Sequence, residues 1–72
     1  MSRLEKATSK AIADTVEYMQ FVLDESASKQ AVVRESEILI TDYVMVKYGR
    51  KFNDDELNEI ISEANGEFGA RF

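Results

Sequence analysis

The chain reads as a small all-α domain, and three observations carry that reading. Its 72 residues include no proline, and the three glycines stand only at 49, 66 and 69, which leaves two long stretches without a helix breaker. Apolar residues recur along those stretches at helical rather than strand spacing. Capping patterns stand where helices would begin. The expected architecture is one domain over 1–72, with two longer antiparallel helices at about 2–26 and 29–48. A shorter third helix comes next at about 54–65, then a tail over 66–72.

In the first segment Leu4, Ala11, Ile12, Val16, Met19, Val22 and Leu23 recur at helical spacing, and Ile12, Val16, Met19 and Leu23 make its buried line. Ser2 is the expected N-cap, with Glu5 as its capping-box partner. Phe21 falls well off the apolar face, and Tyr18 lies at its margin. The polar run Asp24–Gln30 is the expected connection, with Ser28 placed to cap the second helix.

The second segment is apolar on too many sides. At about 100° per residue, Val32, Val33, Leu39, Ile40, Tyr43, Val44 and Val46 share one broad face. Ile38 and Met45 fall on the opposite side, in line with Arg34, Thr41 and Tyr48. The β-branched and aromatic content of residues 37–48 also suits strands, paired through a turn at Thr41-Asp42. Thr-Asp is not a favoured hairpin turn, however, and period-2 alternation is missing, so helix is the expectation.

Gly49 is placed to end this helix as a left-handed C-cap, with Lys47, Arg50 and Lys51 favouring the negative end of its dipole. The third helix opens on Asn53 as N-cap and Glu56 as capping-box partner. Asp54 and Asp55 occupy its first turn, and Phe52 with Leu57 form a hydrophobic staple. Leu57, Ile60, Ile61 and Ala64 make its buried stripe, Asn65-Gly66 closes it, and Phe68 and Phe72 fall in the tail. The expected core is Ile12, Val16, Met19, Leu23, Leu39, Tyr43, Val46, Leu57, Ile60 and Ile61.

Size and composition narrow the function. Domains this small bury only about 60% of the surface their unfolded chain exposes, and they usually need a disulfide, a metal or a partner. Cysteine and histidine are both absent, which removes disulfides, thiolate chemistry and the commonest zinc and acid–base ligand. A partner chain is the support that remains, so an oligomer is expected. The net charge of −5 disfavours nucleic acid and anionic membrane. No apolar run approaches the roughly 18 residues of a membrane span, and MSRLEKATSK lacks the apolar core of a signal peptide. A cytoplasmic protein is the expectation.

Catalytic, cofactor and metal sites are not expected, because Ser-His and Cys-His pairings cannot be built and no phosphate-cradling glycine loop is present. The acidic run Asp54, Asp55, Glu56, Glu59 and Glu63 reads as dipole complement and solvated face. Arg34, Ile38, Thr41, Met45 and Tyr48, joined by Phe21, are the expected partner interface, with cover by the third helix as the competing explanation. The functional expectation is a non-enzymatic protein–protein interaction module, self-associating, acting as a regulator, inhibitor or assembly subunit. The alternative is a nucleic-acid-associated protein using the basic-aromatic segment 47–52, with Lys47, Arg50 and Lys51 on phosphate.

Overall fold

A computed structural model describes residues 3–71, with side chains from residue 7 onward. Ser2 and Phe72, and the side chains of Leu4 and Glu5, lie outside the described residues. The chain forms four helices: α1 (Arg3–Glu25), α2 (Lys29–Arg34), α3 (Ser36–Tyr48) and α4 (Asp54–Ala70). Among the described residues there is no strand, so residues 37–48 are helical.

α1 ends in a serine-rich turn. The Ser26 amide donates to the Leu23 carbonyl at 3.3 Å, and the Lys29 ammonium donates to the same carbonyl at 3.1 Å. A cation at that point satisfies an oxygen that the helix itself leaves open. Ser28 then caps α2 by accepting from the Ala31 amide at 3.4 Å, the role its position predicts.

The second segment is not one helix. Glu35 has φ −97° and ψ 7°, outside helical geometry, and separates α2 from α3. Hydrogen bonding crosses the break, since the Glu35 amide donates to Ala31 and the Leu39 amide donates to Glu35, both at 3.0 Å. The bend therefore re-aims the backbone without opening it. Neither glycine nor proline marks this position, which is why periodicity alone reads through it.

Burial along α3 follows Ile40, Val44 and Tyr48, one residue per turn. This corrects two expectations. Val46, expected in the core, is 89% exposed, and Tyr48, expected on the outer stripe, is buried. Leu39 and Tyr43 are half-buried at the margin of the core. A helix with apolar residues on every side offers several equivalent stripes, so its inward side must be chosen by something other than hydrophobic periodicity.

α4 is longer than its glycines suggest. It runs past Gly66 to Ala70, and Phe68 lies within it, almost fully buried, rather than in a tail. The physical reason is the stripe Leu57, Ile60, Ala64 and Phe68. Two glycines in a helix cost about 1 kcal/mol each. Burying Phe68 returns about 2–3 kcal/mol, and the extra turns add their own backbone hydrogen bonds. The N-terminus is as expected: Asn53 Oδ1 accepts from the Glu56 amide, and the Asn53 amide donates to Glu56 Oε1, both at 2.9 Å. Phe52 and Leu57, the staple pair, both join the core.

α1 packs most extensively against α4, with α3 in contact with both. The core gathers Ala11, Val16, Met19 and Leu23 of α1 with the inward stripes of α3 and α4 and with Val32 of α2. Thr15 is fully buried, and its hydroxyl is satisfied by donating to the Ala11 carbonyl at 2.7 Å.

Two glycine substitutions separate the roles of these positions. Gly49 is right-handed, with φ −57° and ψ −25°, rather than the expected left-handed cap. A Cβ there would run into the Met45 carbonyl, so Gly49→Ala is expected to cost about 1–3 kcal/mol. Gly66 has open space where its Cβ would stand, and Gly66→Ala should stabilise by about 1 kcal/mol. Urea unfolding of both variants checks the opposite signs; a stabilising Gly49→Ala would contradict the packing described at the end of α3.

Candidate functional site

The residues expected to meet a partner divide into those the fold leaves outward and those it takes in. Ile38 is 65% exposed and Met45 50% exposed, seven residues apart on one flank of α3. Thr41 lies between them, half-buried, its hydroxyl donating to the Glu37 carbonyl at 2.8 Å. Arg34 is exposed on α2, on the far side of the Glu35 break. Phe21 is 62% exposed on α1. Tyr48 is withdrawn from this set, because its ring is in the core and its hydroxyl is engaged.

The hydroxyl of Tyr48 belongs to a polar node that residue-type patterns do not single out. One oxygen of Asp14 on α1, Oδ2, accepts from Tyr48 at 2.6 Å, Tyr43 at 2.7 Å and the Lys47 ammonium at 2.7 Å. Lys47 also donates to the Tyr43 hydroxyl at 2.9 Å, and its nitrogen lies over the rings of Tyr43 and Tyr48. The Tyr43 ring in turn stacks on Tyr18, with centroids 4.0 Å apart. The sequence signal is present in retrospect: Tyr43, Lys47 and Tyr48 stand at i, i+4 and i+5, a spacing that puts three donors on one side of a helix.

The electrostatics derive from this geometry. Burial by itself would raise the Asp14 carboxyl, but hydrogen bonds from Lys47, Tyr48 and Tyr43 outweigh it and hold the group at about 2. Burial, reinforced by the hydrogen bond to Asp14, pushes the Tyr48 phenol up to about 12. Burial also raises Tyr43, and the hydrogen bond to Asp14 raises Lys47. A carboxyl this acidic is a weak base at neutral pH, and phenols shifted upward are weak nucleophiles. The node is suited to holding α3 against α1.

Of the three cations assigned to an anion contact, Lys47 is committed to Asp14. Lys51 stands over the Tyr48 ring at 5.9 Å, and Arg50 is exposed beside it. The acidic side chains of α4 lie mostly outward, and among the described residues no group of three or more acidic residues is placed to hold a metal ion.

Two shallow hollows flank the exposed apolar residues. One, of about 370 Å³, lies between α1 and α3 and is lined by Tyr18, Leu39, Asp42, Tyr43, Val46 and Lys47. The other, of about 360 Å³, is lined by Leu23, Lys29, Gln30, Val33 and Arg34. Val46 is the residue that pattern reading misses, and it is more exposed than Phe21, Ile38 or Met45.

The node makes stability depend on pH at both ends of the scale. Asp14 is depressed from 3.8 to about 2, so its contribution is present above the unfolded value and lost as pH falls through about 2. Tyr48 is raised from 10.0 to about 12, so its contribution is present below the unfolded value and lost as pH rises through about 12. Asp14→Ala should cost about 1–3 kcal/mol at neutral pH by leaving two part-buried phenols without their acceptor. It should also flatten the acid limb of a stability–pH profile measured by urea unfolding. An unchanged profile would show that the node contributes nothing.

Comparison with known proteins supplies no family: no family model, curated protein or solved structure matches this chain.

Proposed function

We propose that the chain is a non-enzymatic protein–protein interaction module that self-associates and acts as a small regulator, inhibitor or assembly subunit. The observation that carries this reading is the surface of α3. Its inward stripe is filled by Ile40, Val44 and Tyr48, yet Ile38, Met45 and Val46 remain at least half exposed on its other sides. Three large apolar side chains left outward on one helix, Met45 and Val46 adjacent in sequence, are the kind of surface that protein partners cover. Cover by α4 is the competing explanation for Ile38 and Met45, and their exposure weighs against it. In this reading the Ile38–Met45 flank, with Thr41 beside it and Arg34 beyond the break, receives the partner protein, Met45 serving as an adaptable contact.

A nucleic-acid role is the lesser reading. Its three cations are reduced by the engagement of Lys47 with Asp14, and the chain carries a net charge of −5. Phosphate binding through Arg50 and Lys51 would fall steeply with salt, whereas an apolar interface would hardly respond.

Ile38→Asp combined with Met45→Lys tests the main reading. The pair should keep the helical circular-dichroism spectrum and shift the melting temperature by only a few degrees, since neither side chain fills the core. It should lose the partner that the unmodified chain captures, because each new charge would have to be buried unpaired. The reading fails if the unmodified chain is a monomer with a concentration-independent melting temperature and captures no protein.

A further inference from the structure

We propose that a second copy of this chain docks antiparallel on the Leu39–Val46 flank of α3, the flank away from Ile38 and Met45. The inference rests on the reading of the chain as a self-associating module, and it names the surface and the orientation. Shape supplies the first argument. The hollow between α1 and α3 has apolar walls in Tyr18, Leu39 and Tyr43, and Val46 stands at its border 89% exposed. Each copy thus carries both a projecting side chain and a recess of about 370 Å³ beside it. A two-fold pairing needs this combination, because every contact occurs twice with the roles exchanged.

Charge supplies the second argument and selects the orientation. Along this flank the acid Glu35 comes first and the base Arg50 last, both exposed, while Lys47 is already held by Asp14 of its own chain. A parallel copy would set acid against acid and base against base. An antiparallel copy sets Glu35 of each chain, just before α3, against Arg50 of the other, just after it. With the two-fold axis beside Asp42 and Tyr43, Leu39 of one copy meets Val46 of the other and Glu35 meets Arg50. Asp42 then stands near the Asp42 of the other copy, a like-charge contact that the two Glu35–Arg50 pairs must outweigh. The Ile38–Met45 flank has no such polarity, since Arg34 at one end faces only Tyr48 and Gly49 at the other. Self-complementarity therefore belongs to the Leu39–Val46 flank.

Sedimentation velocity on the full chain, across a concentration series, tests the proposal. The unmodified chain should dimerise, and Val46→Glu should weaken the dimer by about 100-fold or more while helicity is unchanged. Val46→Ser serves as a milder second variant and should weaken it by about tenfold. Glu35→Arg and Arg50→Glu should each weaken the dimer by about tenfold through like-charge contact. Mixing those two variants, or combining both changes in one chain, should restore affinity to within about threefold of the original. Such rescue requires residue 35 of one copy to face residue 50 of the other, which only antiparallel pairing provides.

A dimer unaffected by both Val46 variants, or charge reversals that fail to rescue one another, would overturn the proposal. So would a dimer lost only on Ile38→Asp with Met45→Lys; that result would move self-association to the other flank and leave the interaction-module reading standing. A chain that stays monomeric to about 1 mM would remove the second copy as occupant. Capture of a different protein, lost on Val46→Glu, would then assign this flank to that protein.

Discussion

The structure is governed by one constraint: α3 is apolar on every side, and the rest of the described residues cover only one of them. Ile40, Val44 and Tyr48 take the inward stripe against α1 and α4. Leu39 and Tyr43 are left at the margin, and Ile38, Met45 and Val46 outside. The hydrophobic effect favours burying such a helix but is nearly indifferent to its rotation, because turning it exchanges one apolar residue for another. Something polar must set the angle.

Asp14 supplies it. Three donors from consecutive turns of α3 converge on one carboxylate oxygen of α1, and a rotated helix would leave two phenols and an ammonium without that acceptor. Hydrogen bonds to a charged group are among the stronger ones, and their directionality gives them an orienting role that apolar contacts lack. The Tyr18–Tyr43 stack acts in the same sense, holding Tyr43 at the α1 side of α3. Once the angle is fixed, helical geometry determines the outward residues. The exposed surface on which the proposed function rests is thus a consequence of a buried-edge polar contact some distance around the helix.

Much of this is legible in the sequence, for identifiable reasons. Helix as the only regular element among the described residues comes from spacing and from the lack of breakers. The capping box at Asn53 and Glu56 and the Ser28 cap come from side chains whose hydrogen bonding is local. The illegible features depend on tertiary contact. Glu35 interrupts a run with no breaker residue, Gly66 fails to stop a helix because Phe68 has a core to enter, and Gly49 keeps right-handed geometry. Spacing turns Ile38, Met45 and Phe21 outward, and they are exposed. Val46 and Tyr48 exchange places between inside and outside because the residue deciding between them, Asp14, lies on another helix. Residues 32–48 place three donors on one side of the helix, but the acceptor that draws that side toward α1 lies outside them.

Methyl NMR with a soluble paramagnetic agent, over a dilution series, addresses the central claim most directly. At high dilution the methyl groups of Ile38 and Val46 should relax strongly, while those of Ile40 and Val44 remain protected. As concentration rises, the Val46 methyls should become protected too, while Ile40 and Val44 do not change. If Ile38 and Val46 were already as protected as Ile40 and Val44 in the most dilute sample, the chain would be covering all sides of α3 by itself. α3 would then offer no apolar surface to a partner.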